Sequence, residues 1–170
     1  MKKILPILLI AFLFVHMASC EKDDICVEGD TPLLVIGFFD IDDTTQSKDV
    51  PDLRIKEVIL NTNINTIADR TSSLDSIGIP LRMDATSTQF EFITNSADDD
   101  DTGEETGNID VLTVSYNVTE AFVSRACGFV ANYESLNVTL PDNTENWIKD
   151  ISVVQQKIEN SNNIHVKIFH

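Results

Sequence analysis

The chain has 170 residues, of which 28 are acidic and 12 are basic, and its formal net charge is −16 at pH 7. A surface so negative repels phosphate backbones, so we expect no nucleic-acid partner. The length and the 42% content of hydrophobic residues suit one domain with a sizeable core.

The N-terminus has the three-part layout of a secretory signal peptide. Lys2 and Lys3 precede an apolar stretch over residues 4–15, and small residues follow before Cys20. The apolar stretch is too short for a membrane-spanning helix, which needs roughly 20 residues. We therefore predict a signal peptide over residues 1–19.

The residues before Cys20 resemble the lipobox of bacterial lipoproteins, in the form Met17-Ala18-Ser19-Cys20. Ordinary signal peptidase requires small residues one and three positions before the cut. Cleavage after Ser19 or Ala18 would place Met17 or His16 at the second of these positions. We expect lipidation of Cys20, and the alternative is an ordinary secreted protein with a free Cys20.

The residues after Cys20, Glu21-Lys22-Asp23-Asp24, resemble the signal that directs Bacteroidetes lipoproteins to the outer face of the outer membrane. The resemblance implies surface display, and the alternative is an outer-membrane lipoprotein that faces the periplasm. We interpret residues 20–31 as a charged, lipidated tether. Loss of two lysines with the signal peptide leaves 28 acidic and 10 basic residues, so the lipid on Cys20 must provide the membrane attachment.

From residue 32 to residue 170 the chain reads as a single domain of short strands separated by polar, turn-rich segments. The predicted strands lie within 33–39, 53–60, 74–81, 88–94, 110–118, 122–133, 136–140, 147–154 and 164–169. Eight or nine strands of this spacing predict an all-β fold, an antiparallel β-sandwich of immunoglobulin-like shape. A small β-barrel is the alternative.

Local features refine several of these strands. The continuously apolar segment 33–39 predicts a strand buried on both faces. A change of phase at Lys56 and Glu57 predicts a bulge. Pro80 places its strand at a sheet edge, and Gly128 indicates a bend within segment 122–133.

The three cysteines are accounted for if Cys20 carries lipid, because Cys26 and Cys127 then form an even pair. In an oxidising compartment such a pair predicts one disulfide. The alternative is two buried free thiols, since geometry cannot be checked from sequence.

Several motifs together resemble a domain-of-unknown-function family of Bacteroidetes lipoproteins. They are the run from Cys20 to Cys26, Thr31-Pro32 before the first apolar strand, Val114-Ser115-Tyr116, and Ser124-Arg125-Ala126-Cys127-Gly128. The resemblance covers nearly all of the mature chain and implies location and size rather than an activity.

The acidic run over residues 98–105 offers Asp98 and Asp100 as candidate calcium ligands, because hard cations bind clustered carboxylates. A calcium loop that begins at Asp98 would have Ile109 at its twelfth position, where a bidentate Glu is required. We therefore interpret the run as a solvated loop and predict no metal and no other cofactor.

Catalytic patterns are weak in this sequence. Ser124 lacks an identifiable base, no acid has an apolar context that would raise its pKa, and His165 should face solvent from its strand. We therefore expect a protein that is not an enzyme; a hydrolase with loop-borne acids remains an alternative.

Two aromatic residues, Trp147 and Tyr133, could bind a glycan by stacking on sugar rings, although aromatic residues more often pack in a core. The anchor and strand pattern instead favour a binding or accessory module for another envelope protein. A glycan-binding surface module is the alternative.

Overall fold

A computed structural model of the chain describes Cys26 and residues 30–170. The predicted signal peptide, the predicted lipidation site Cys20 and most of the predicted tether lie outside the described residues. Within them, no helix has the length and apolar character needed to cross a membrane.

The described residues form an all-β structure with nine strands. They are β1 (Leu34–Phe39), β2 (Arg54–Glu57), β3 (Thr62–Asn63), β4 (Ser76–Ile79), β5 (Ser87–Thr94), β6 (Asn108–Ser124), β7 (Gly128–Thr139), β8 (Asp150–Val153) and β9 (Val166–Phe169). They form one sheet in the order β4-β1-β9-β8 and another in the order β3-β2-β5-β6-β7. The all-β prediction is confirmed, and these strands do not close into the barrel that was the alternative.

The two sheets share one apolar core. β1 contributes Leu34, Ile36 and Phe38, while Phe90 of β5 and Leu112 of β6 come from the other sheet. All five side chains are almost completely buried. The inward positions of β6 alternate as predicted, which leaves its intervening residues on the outer face.

Pairing is antiparallel with one exception. β1 and β9 pair in parallel, with Ile36 opposite Val166 and Phe38 opposite Ile168. Parallel partners need a long connection, and the first and last strands of the domain have nearly the whole chain between them. The prediction of a wholly antiparallel arrangement is therefore wrong at this pair. β4 lies at a sheet edge, as Pro80 indicates.

The bulge predicted at Lys56 and Glu57 is not present. β2 pairs with β5 in an unbroken register through Glu57. The inward alternation continues from Ile55 to Glu57, whose side chain is buried. The apparent change of phase arose because a carboxylate occupies a core-facing position.

The predicted strand over residues 122–133 is wrong, because the chain reverses direction within it. β6 ends at Ser124, residues 125–127 form a turn, and β7 begins at Gly128 with a positive φ of 72°. The next predicted strand, 136–140, is the continuation of β7. Glycine adopts this left-handed conformation without steric cost, so it marks the turn rather than a bend within a strand.

His165 is buried and does not face solvent as the alternation predicts. It lies immediately before β9, and the backbone N–H of Val35 donates to its Nδ1 at 3.1 Å. Its own carbonyl accepts hydrogen bonds from the N–H groups of Val154 and Gln155. Burial lowers the pKa of His165, which favours the neutral ring that can accept the bond from Val35.

Candidate interaction surface

A two-stranded ribbon extends from the five-stranded sheet. β5 pairs with β6 only as far as Ser115, whereas β6 and β7 continue to pair up to Ser124 and Gly128. An isolated pair of strands is marginally stable in water, so the end of such a ribbon needs other support. We call residues 121–130 the ribbon tip.

Two phenylalanines form the apolar part of the ribbon tip. Phe122 and Phe129 lie opposite each other in the register, with ring centroids 5.4 Å apart in an edge-to-face arrangement. Cross-strand aromatic pairs of this kind stabilise a ribbon. Even so, 61% of Phe122 and 66% of Phe129 remain exposed to solvent. The neighbouring Val123 is also exposed, so the tip presents a cluster of apolar side chains.

The turn of the ribbon is held by a disulfide and a hydrogen bond. Cys127 is bonded to Cys26, and their Cα atoms are 4.9 Å apart. The predicted pairing is thus present in the structure. Ser124 Oγ accepts a hydrogen bond from the N–H of Cys127 at 3.0 Å, which gives this serine a role in the turn. The disulfide ties the ribbon tip to the predicted tether, residues 20–31, which contains Cys26.

Neither predicted sugar-binding aromatic is freely exposed. Tyr133 is completely buried and its hydroxyl donates to the carbonyl of Leu81 at 3.0 Å. Its ring meets that of Tyr116 edge to face, with the centroids 5.1 Å apart. Trp147 is half-buried, and its Nε1 donates to the carbonyl of Phe92 at 3.0 Å. Tyr133 is therefore wrong as a sugar-stacking residue, because an inward position of β7 places it in the core.

The two candidate metal ligands, Asp98 and Asp100, have different surroundings. Asp98 forms ion pairs with Arg70 and, at 3.6 Å, with Arg54, and the hydrogen bond from Arg70 lowers its pKa. Asp100 is exposed in the turn of the same loop. Across Cys26 and residues 30–170, no group of three or more His, Cys, Asp or Glu side chains has an arrangement that could hold a metal ion.

Burial of Asp110 corrects the prediction that no acid has an apolar context that would raise its pKa, and Glu57 is a second buried carboxyl group. Burial raises the pKa of Asp110, although the backbone N–H groups of Ile148 and Trp147 donate to it. Glu57 accepts a hydrogen bond from the N–H of Leu60 through Oε2. Its Oε1 is buried and has no hydrogen-bond partner among the described residues. Both acids occupy inward strand positions that periodicity alone assigns to apolar residues.

The exposed phenylalanines of the ribbon tip were missed by the sequence reasoning. Phe129 alternates with Ala131 and Tyr133 and therefore resembles a core residue of a strand. The available signals were Gly128 next to Cys127, together with the lack of any acidic residue from 121 to 130 in an otherwise acidic chain.

The described part of the chain is thus a two-sheet all-β domain with an apolar, disulfide-linked ribbon tip. The chain belongs to a family of unknown function, DUF6452, whose model matches residues 52–170. The match includes the motifs at 114–116 and 124–128, whereas those around Cys20 and Cys26 precede it. No curated protein and no solved structure matches the chain.

Proposed function

We propose that this protein is an exported lipoprotein, anchored in the outer membrane through lipid on Cys20 and displayed at the cell surface. Its domain, residues 32–170, then acts as a non-enzymatic binding or accessory module for another envelope protein. For the domain we propose an immunoglobulin-like sandwich, and for the family a lipoprotein family of Bacteroidetes.

The observation that carries this proposal is the disulfide between Cys26 and Cys127. Disulfides of this kind form and persist outside the cytoplasm, so the bond supports export. It also uses two of the three cysteines in the chain. The third is Cys20, at the position where the lipobox-like motif requires the modified residue.

Metabolic labelling tests the anchor. Cells that express the chain are grown with a radiolabelled fatty acid, and the purified protein should carry label that the Cys20→Ser variant lacks. A Cys26→Ser, Cys127→Ser variant is the matched control, because it removes the other two thiols and should keep the label. Protein that still begins at Met1, or that carries no label, would contradict the proposal.

Protease treatment of intact cells tests surface display. A protein on the outer face should be degraded without cell lysis, whereas one that faces the periplasm should be degraded only after lysis. Equal protection of this chain and of a periplasmic control protein would assign it to the inner face.

The geometry favours an accessory module over the glycan-binding alternative. Tyr133 is buried, and Trp147 uses its Nε1 for a hydrogen bond inside the domain. The exposed aromatic pair lies instead at the ribbon tip, which the disulfide places next to the predicted tether. Repeated purification of the lipidated protein from crosslinked membranes should recover one envelope protein at a constant ratio, and consistent recovery of none would contradict this part of the proposal.

A further inference from the structure

We propose that the ribbon tip contacts the lipid bilayer directly, with the rings of Phe122 and Phe129 in the region between headgroups and acyl chains. The tip would be a second membrane contact beside the lipid on Cys20, and it would fix the orientation of the domain. The inference rests on the proposed function for the presence of that lipid.

Exposure of the two rings is the first step. Each phenylalanine leaves more than half of its surface in water although it already contacts the other. Removing such apolar area from water is favourable, and aromatic side chains on an amphipathic surface suit the boundary between headgroups and acyl chains. Both rings lie beyond Ser115, the point at which β6 ceases to pair with β5.

The disulfide supplies the second step, because it limits the distance between the tip and the anchor. Cys20 and Cys26 are six residues apart, and a fully extended chain covers at most about 3.6 Å per residue. Adding the 4.9 Å between the Cα atoms of Cys26 and Cys127 places Cys20 within about 27 Å of the tip. β6 has 17 residues and is therefore about 55 Å long. The tip end of β6 must be the end near the anchor.

The charge of the ribbon tip is the third step, and it indicates a lipid bilayer as the surface that the tip contacts. Residues 121–130 contain Arg125 and no acidic residue, although the whole chain has 28 acids. Anionic lipid headgroups repel the rest of the surface, whereas a basic residue near the membrane is attracted to them. Two exposed rings and one cation at the membrane-proximal end match the chemistry of a lipid surface.

The test measures contact with acyl chains through tryptophan fluorescence. Phe122→Trp is made in a Trp147→Phe background, so that the reporter is the single tryptophan of the chain. The lipidated, full-length mature protein is reconstituted into phosphatidylethanolamine and phosphatidylglycerol vesicles with or without brominated acyl chains. We expect brominated lipid to reduce the emission of this reporter at least twofold.

Ile109→Trp in the same background is the matched control. Ile109 is an exposed apolar residue at the opposite end of β6, about 40 Å from Phe122 along the strand. Its emission should be unchanged by brominated lipid. Equal quenching of the two reporters, or none of either, would overturn the proposal. If Trp147→Phe prevents folding, the same comparison is made with Trp147 retained and its own signal subtracted.

A protein occupant gives a different result. The reporter at position 122 is also measured in native membranes to which brominated lipid has been added. An emission typical of a tryptophan shielded from water, without quenching by the brominated lipid, would overturn the bilayer proposal in favour of a protein contact.

The tip and the anchor can be tested separately. A mass spectrum of the purified chain shows whether Cys20 carries lipid. If it does and the tip reporter is not quenched, the inference fails while the proposed function stands. If it does not, the proposed function fails, and the free Cys20 thiol is coupled to a maleimide lipid in the vesicles. Quenching at position 122 in that preparation would still support the tip contact, and its absence would overturn it.

Discussion

Replacement of Tyr133 by phenylalanine isolates one buried hydrogen bond. The hydroxyl of Tyr133 donates to the carbonyl of Leu81 at 3.0 Å, and the side chain is completely buried. Tyr133→Phe keeps the ring and its edge-to-face contact with Tyr116, but it leaves the Leu81 carbonyl without this donor. A buried group that loses its partner costs about 1–2 kcal/mol, so the free energy of unfolding should fall by that amount.

Urea denaturation of the mature chain, with its disulfide intact, measures this change. The midpoint should fall while the slope stays the same, since the exposed area of the unfolded state does not change. Ile59→Ala is the control, because Ile59 is 65% exposed and its replacement should change stability by less than about 0.5 kcal/mol. A Tyr133→Phe protein within about 0.3 kcal/mol of the wild type would refute the reasoning from the buried hydroxyl. Tyr133→Ala should cost about 3–5 kcal/mol, so its loss of any glycan binding would report unfolding rather than recognition.

Three further outcomes follow from buried groups and from the disulfide. Burial raises the pKa of Tyr133 to about 12 and also raises that of Tyr116; the chain has no other tyrosine. Absorbance should therefore show little tyrosinate at about pH 10, where a free tyrosine is half ionised. The free energy of unfolding should decrease as the pH rises above that value. Substantial ionisation of the folded protein at about pH 10 would contradict the burial of the two tyrosines. Because burial lowers the pKa of His165, the unfolded chain binds a proton more readily, so stability should decrease as the pH falls below about 6.5. Stability curves of His165→Gln should show a smaller slope in that range, and an unchanged slope would count against this histidine. Replacement of Cys26 and Cys127 by serine opens a loop with a sequence separation of 101 and should reduce the free energy of unfolding by up to about 4.7 kcal/mol; a loss below about 1 kcal/mol in denaturation would contradict this role of the bond.

Periodicity predicted most of the strands because each has one face in the core. Over residues 87–92 of β5 and 110–117 of β6, buried positions alternate with exposed or half-buried ones. β1 is apolar throughout, and the residues of both its faces are buried or half-buried. The disulfide was also predictable, since an even pair of cysteines remains once Cys20 is assigned to lipid.

Other features depend on contacts between residues that are distant in the sequence. The parallel pairing of β1 with β9 needs both ends of the domain, and no local pattern specifies which strands become neighbours. Glu57 and His165 are buried because of what packs against them, while their residue types alone predict exposure.

The ribbon tip shows the same division between sequence and structure. The composition of residues 121–130 determines that the segment is apolar and lacks acidic groups. Whether such a segment enters the core or remains in water depends on where its neighbouring strand ends. The pairing of β5 with β6 ends at Ser115, so beyond that point β6 pairs only with β7, and Phe122 and Phe129 remain exposed.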